Sequence, residues 1–82
     1  MKPVDFEGVN VVYGENQPTY QPLPAQKCER GKIITCWELT PEEIAEISKT
    51  GKLWVSMLTF NMPLLPILPS ADKETLEELE VP

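Results

Sequence analysis

The sequence contains no histidine among its 82 residues. Histidine is the side chain that most often exchanges the proton in general acid–base catalysis, and it activates most serine and cysteine nucleophiles. Glu42 and Glu46 fall on the outer face of a predicted helix, where carboxylates are ordinarily solvated, and Glu43 is explained as a helix-capping partner. The composition therefore predicts a protein that is not an enzyme.

Cysteine and glycine are also scarce. The two cysteines, Cys28 and Cys36, have seven residues between them, and two thiols without histidine make a poor zinc site. They could close a disulfide across a hairpin near Glu29–Gly31, but the reduced form is expected in a cytosolic chain. The four glycines stand singly rather than in a phosphate-binding loop, so neither a metal nor a cofactor is predicted.

Positive charge is not clustered anywhere in the sequence. Met1–Pro69 carries eight acidic and six basic residues, and Ser70–Pro82 carries five acidic residues and one basic, which together give the net charge of −6. Proteins that bind nucleic acids ordinarily present a basic stripe to the phosphates. Direct binding to DNA or RNA is therefore not expected.

Long hydrophobic runs are missing too. No apolar run approaches the ~18 residues that span a bilayer, and no secretory leader pattern is present. We therefore expect a cytoplasmic protein without membrane association. Hydrophobic residues make up 41% and charged residues 24%, as in chains that fold. The length and the acidic residues after Pro69 predict one domain over residues 1–69, followed by an acidic tail or short helix over residues 70–82. A domain of this size has a thin core, which oligomerisation would supplement.

The first third of the chain predicts one short strand and a long connection. Val9–Tyr13 is rich in β-branched residues and stops at Gly14, as a strand does. Glu15–Gln26 contains three prolines, which remove backbone donors, and this predicts an extended surface connection that joins no central strand: Pro18, Pro22 and Pro24.

A second strand is predicted after the turn at Glu29–Lys32. Ile33–Leu39 alternates with a period of two residues, which is the side-chain period of a strand. The odd-numbered face, with Trp37 and Leu39, is the predicted core side. Tryptophan is most often a core residue in so small a domain because it buries a large area.

Several start signals coincide at the predicted helix Pro41–Thr50. Thr40 and Glu43 have the spacing of a capping box, and Pro41 suits the first helical position. Gly51 stands where a left-handed residue ends a helix. The helix and the strand before it belong to a predicted strand–helix–strand unit from Lys32 to Phe60.

The third strand of that unit is predicted over Lys52–Phe60, which alternates but is largely apolar on both faces. Such a strand needs cover on both sides. The predicted fold is a small α+β domain of β-β-α-β order, with a short antiparallel or mixed sheet and a proline-spaced extended arm at its C-terminal end.

Proline recurs at every third position in this arm, at Pro63, Pro66 and Pro69. That spacing matches the three-residue repeat of polyproline II and excludes an interior strand. The large aliphatic residues between the prolines require cover, either by the same domain, which the arm would cross, for example as an edge strand, or by a neighbouring subunit or host target. Ala71–Glu80 beyond it predicts either a short helix or a disordered acidic tail.

Two sets of candidate binding residues follow from this pattern. The first set is a partner or oligomer interface on the outer face of the third strand and on the arm: Trp54, Ser56, Leu58, Phe60, Leu64, Leu65, Ile67 and Leu68. The second set comprises basic residues that could contact a phosphate group: Lys27, Arg30, Lys32 and Lys52.

The sequence also resembles a recurring family of small bacteriophage and prophage proteins. The residues that carry the resemblance are Cys36–Glu43 (CWELTPEE), Thr50–Val55 (TGKLWV) and Leu58–Asn61 (LTFN), with the prolines that follow, and Val11–Tyr13 and Gln17–Pro18 near the start. It covers about residues 9–69 and supplies no catalytic residues. What it implies is a phage accessory protein of the bacterial cytoplasm that acts by stoichiometric binding, often against host defence.

Three hypotheses of function are compatible with these observations. The first is a homo-oligomeric accessory protein that sequesters or blocks a host protein, with a possible anti-defence role. The second is an oligomeric sponge that sequesters a nucleotide-like immune signal, although the negative tail disfavours an anionic ligand. The third is a structural component of the virion.

Overall fold

The computed structural model describes residues 1–16 and 21–78. Within them the strands are β1 (Lys2–Val4), β2 (Val11–Tyr13), β3 (Leu23–Lys27), β4 (Ile33–Ile34) and β5 (Cys36–Glu38). The helices are α1 (Pro41–Thr50) and α2 (Lys73–Glu78). The α+β class predicted from the sequence is confirmed. Pro18 of the predicted connection and the last residues of the predicted Ala71–Glu80 segment lie outside the described residues.

The chain divides into two units, and the first, Met1–Thr40, contains the strands just named. β2, β3 and β4 form an antiparallel sheet in that order, so β3 is its central strand, with Gln26 opposite Ile34. β1 and β5 form a separate antiparallel pair that brings Lys2 opposite Glu38. Opposite charges at directly facing positions stabilise such a pair by a few tenths of a kcal/mol, roughly.

The central position of β3 corrects the prediction that Glu15–Gln26 joins no central strand. Pro24 lies inside β3, opposite Val12 of β2. The other neighbour, β4, pairs with β3 at Gln26 and Lys27, beyond the proline. Pro24 therefore has a paired strand on one side, and a proline is tolerated where no ladder amide is needed.

The prediction of one strand over Ile33–Leu39 is also wrong, both in its length and in its core face. The chain changes partner at Thr35, since β4 pairs with β3 and β5 pairs with β1. Ile34 is 4% exposed, whereas Ile33 is 40% and Trp37 47% exposed, so an even-numbered residue supplies the core. When both neighbouring residues are isoleucine, alternation cannot choose the face, and the register of the hairpin decides it.

The turn between β3 and β4 sets that register. The backbone amide of Cys28 donates to the carbonyl of Lys32 at 2.8 Å, and Arg30 and Gly31 within the turn have φ of 66° and 79°. Closing the turn at this point places Lys27 opposite Ile33 and the buried Ile34 opposite Gln26 of β3. Ala25 and Ile34 are the buried hydrophobic residues of the described chain.

The side chain of Asn10 extends the sheet beyond the end of β2. Its Nδ2 donates to the carbonyl of Lys27 at 3.0 Å, and its Oδ1 accepts from the amide of Lys27 at 2.7 Å. The backbone amide of Asn10 donates to the carbonyl of Ala25 at 3.0 Å. The side-chain amide of Asn10 thus acts as a peptide group would, and it satisfies the backbone amide and carbonyl of Lys27 on the edge of β3 that faces β2.

We expect Asn10→Ala to lower the free energy of unfolding of the full chain by about 1 kcal/mol, because two hydrogen bonds to Lys27 are lost and water replaces them only in part. Urea unfolding followed by circular dichroism measures the loss. Gln21→Ala, at an exposed position, is the matched control and should change stability by less than ~0.5 kcal/mol. Equal effects of the two substitutions would contradict a structural role for Asn10.

The second unit begins at Pro41 with helix α1, whose bounds are those predicted from the sequence. Gly51 follows the helix with φ of +67° and donates its amide to the carbonyl of Ile47 at 2.7 Å, which confirms the left-handed end. The Thr40–Glu43 capping box stays a prediction. None of the ten residues of α1 is buried, and Ile44 is 53% exposed, so the helix does not form a closed core in this chain.

Substitution of Gly51 separates backbone strain from steric contact. A Cβ atom at this position would meet nothing within 4 Å, so the cost of a side chain is the left-handed backbone itself. We expect Gly51→Val to destabilise the end of α1 by roughly 1–2 kcal/mol and Gly51→Asn by only a few tenths, since asparagine tolerates this conformation. Hydrogen exchange of the amides in the last turn of α1 measures both. Equal protection in the two variants would show that the left-handed residue does not hold the helix end.

The predicted strand over Lys52–Phe60 is wrong, because no strand is formed there. Helix α2 follows later, and its first turn is capped by Asp72, whose carboxylate accepts from the amide of Glu74 at 3.2 Å and from Oγ1 of Thr75 at 3.0 Å. Of the two alternatives for Ala71–Glu80, the helix is therefore confirmed over Lys73–Glu78.

Candidate binding surface

The most distinctive feature of the second unit is a segment without charge. No Asp, Glu, Lys or Arg lies between Lys52 and Asp72, although charged residues make up 24% of the chain. We refer to Leu53–Pro69 as the apolar segment. All the predicted interface residues fall within it.

The large apolar side chains of this segment are exposed. Trp54 is 88%, Leu58 77% and Phe60 74% exposed, and the remaining members lie between 39% and 70%: Leu53, Val55, Met57, Met62, Leu64, Leu65, Ile67 and Leu68. Ser56 is exposed as well. A contiguous apolar surface of this kind is unusual on a soluble monomer and marks a place where another molecule binds.

The arm does not cover its own unit. It forms no strand, so the alternative in which it closes the core as an edge strand is wrong, and its aliphatic residues Leu64 and Leu65 are 66% and 70% exposed. The expectation that the arm is covered by a neighbouring subunit or a host target stays a prediction.

A turn reverses the chain in the middle of the apolar segment. The amide of Met62 donates to the carbonyl of Thr59 at 2.9 Å, and the two residues between them, Phe60 and Asn61, have φ of 53° and 63°. Two successive left-handed residues are the mark of a type I′ turn, which ordinarily joins paired strands. Asparagine is common in this conformation, whereas phenylalanine adopts it at a cost of about 1 kcal/mol.

An open groove of about 380 Å³ lies beside this turn, between the residues that precede it and those that follow it. Its lining is apolar: Met57, Leu58, Thr59, Met62, Pro63 and Leu65. Leu58 and Leu65 were predicted as interface residues, whereas Met57 and Met62 were not. Met57 falls on the other face of a regular strand, and Met62 follows the end of the predicted strand. The signal that could have found them is Asn61, a residue that favours left-handed turns.

The predicted phosphate-contacting residues divide between the two units. Arg30 and Lys32 lie on the turn that joins β3 and β4, together with Glu29, and Lys27 is the last residue of β3 before that turn. Lys52 belongs to the second unit. The hairpin thus brings three basic residues to one of its ends. Whether they bind an anion stays a prediction.

The chemistry of the other polar residues is unremarkable. Cys28 and Cys36 are free thiols, the first half-buried and the second exposed. Within residues 1–16 and 21–78, no group of three potential metal-ligating side chains comes together.

Comparisons with known proteins give no assignment for this arrangement. No protein family, curated protein or solved structure matches the chain. Among the helices that the structure describes, none has the length and the apolar character needed to cross a membrane.

Proposed function

We propose that this chain is a non-catalytic binding protein of the phage accessory type, which acts stoichiometrically on a host protein through the apolar segment. The observation that carries the proposal is the exposure of eleven large apolar side chains between Leu53 and Leu68, by 39% to 88%. Water disfavours such a surface, and a partner that covers it releases the ordered solvent.

The extent of the surface favours a protein over a small ligand. The exposed apolar side chains amount to an area on the order of 1,000 Å², which exceeds the ~800 Å² that a standard protein interface takes from each partner. The groove at the turn is open and apolar, and the segment provides no charge to fix an anionic ligand. The partner that fits best is a protein with an apolar surface.

The aromatic residues give this surface its strongest binding positions. Trp54 and Phe60 are the most exposed aromatic side chains of the second unit, and tryptophan is enriched among residues that dominate binding energy. Met57 and Met62 in the groove add flexible side chains that adapt to the shape of a partner. The lack of charge keeps the desolvation cost of this surface low.

The test is affinity capture from bacterial lysate with the full tagged chain, followed by mass spectrometry of both the captured proteins and the small molecules released on denaturation. We expect one protein in near-equimolar ratio to the bait, absent when Leu64→Asp is the bait. Gln21→Asp, which adds the same charge at an exposed site of the first unit, should capture it as wild type does.

Two outcomes would overturn the proposal. One is a host protein captured equally by wild type and by Leu64→Asp, because binding would then not use the apolar segment. The other is a nucleotide-like compound released in equimolar amount with no captured protein, which would identify the chain as a ligand sponge.

A further inference from the structure

Lys52–Phe60 has the residues of a strand but no strand partner. Leu53, Val55 and Met57 alternate with Trp54, Ser56 and Leu58, and β-branched and aromatic residues of this kind favour strands. Yet no backbone hydrogen bond joins Leu53–Leu58 to any other part of the chain that the structure describes. Its amides and carbonyls are available to a strand from outside.

Both ends of this stretch are set by left-handed residues. Gly51, with φ of +67°, separates it from α1, and the turn at Phe60 and Asn61 separates it from the proline-spaced arm. Phe60 itself lies in that turn, and the amide of Lys52 donates to Oγ1 of Thr50 at 3.2 Å. The length available for pairing is therefore the seven residues from Leu53 to Thr59. Such a length is typical of a full strand.

We infer that this stretch pairs with the same stretch of a second copy, as a two-fold antiparallel ladder centred on Ser56. Two identical strands that pair antiparallel form a closed, self-complementary contact, so association stops at the dimer. The edge-to-edge pairing supplies partners for the unpaired backbone groups. The side chains of both copies project from the two faces of the ladder.

The distribution of charge favours a second copy as the occupant. Each copy carries a net charge of −6, but the stretch from Leu53 to Phe60 carries none, so two copies can meet here without facing like charges.

The register follows from the sequence of the stretch. Centring on Ser56 pairs all seven residues and brings Trp54 opposite Leu58 and Val55 opposite Met57. An aromatic residue opposite an aliphatic one is a favourable cross-strand pair. A centre on Val55 or on Met57 pairs five residues of the stretch and leaves one end of each strand without a partner.

Engineered disulfides test both the partner and the register. In a Cys28→Ala/Cys36→Ser background, we expect Ser56→Cys to form a disulfide-linked dimer almost completely under mild oxidation, because facing Cα atoms lie about 4.5–5.5 Å apart, within disulfide range. Leu53→Cys and Thr59→Cys alone should each form no disulfide-linked dimer under oxidation, since like residues then lie roughly 20 Å apart along the ladder. A mixture of Leu53→Cys and Thr59→Cys copies should form the mixed disulfide.

The pattern of cross-linking distinguishes pairing in the predicted register from random collision between cysteines. Equal cross-linking of Ser56→Cys and of Leu53→Cys alone would overturn the inference, as would Ser56→Cys that stays unlinked while another single cysteine in the stretch links to itself. Sedimentation equilibrium of the unmodified chain is the second measurement, and a monomer at concentrations of tens of micromolar would also overturn it. The inference does not rest on a host partner, so failure to capture one leaves these results intact.

Discussion

Ile34→Ala is expected to unfold most of the first unit at 25 °C. Ile34 and Ala25 are the buried hydrophobic residues of the described chain, so the substitution removes the larger part of a very small core. Truncation of a buried isoleucine costs about 2–5 kcal/mol, and a domain below ~80 residues rarely has more than about 3–5 kcal/mol in its core. Circular dichroism and urea unfolding of the full chain measure the loss.

The neighbouring residue offers a matched control with the same side chain. Ile33 is 40% exposed, and we expect Ile33→Ala to cost less than about 1 kcal/mol. A larger loss for Ile33→Ala than for Ile34→Ala would mean that the odd-numbered face carries the core, as alternation alone had indicated.

Leu65→Asp is expected to weaken binding to the captured host protein at least 100-fold while leaving the unfolding of the free chain unchanged. Leu65 is 70% exposed in the free chain, so its replacement removes little from the fold, but it lines the groove of the apolar segment. In a complex, the substitution both loses apolar burial and buries an unpaired charge, which together exceed the about 2.7 kcal/mol that a 100-fold change represents.

Isothermal titration of the purified partner with each variant measures this effect. Gln21→Asp provides the control for added charge and should bind as tightly as wild type. A Leu65→Asp chain that binds with unchanged affinity would place the interface elsewhere, and one that unfolds at a lower urea concentration would show that Leu65 supports the fold.

The helix α1 shows what local signals can determine. Pro41 at its start and Gly51 at its end act on the backbone within a few residues, through a fixed φ and a left-handed residue, and the structure has the predicted bounds Pro41–Thr50. No distant part of the chain is needed to define these ends. Part of the candidate site could also be predicted from the sequence, because the apolar residues of the arm are evident there.

The strands show where such reasoning fails. Alternation over Lys52–Phe60 is typical of a strand, but a strand exists only when another backbone pairs with it, and the described chain provides none. Conversely, Pro24 argues against a central strand, yet β3 is one, because β4 pairs with it only beyond the proline. The strand β1 was not predicted, since three residues are too few for a periodic signal.

By itself, the sequence determined the α+β class, the ends of helix α1 and the absence of histidine. Only the tertiary structure decided that Ile34 rather than Ile33 is buried, that Leu23–Lys27 lies at the centre of a sheet, and that Leu53–Pro69 is left exposed. The physical reason is that helix ends depend on neighbours in sequence, whereas strand pairing and burial depend on which distant residues meet.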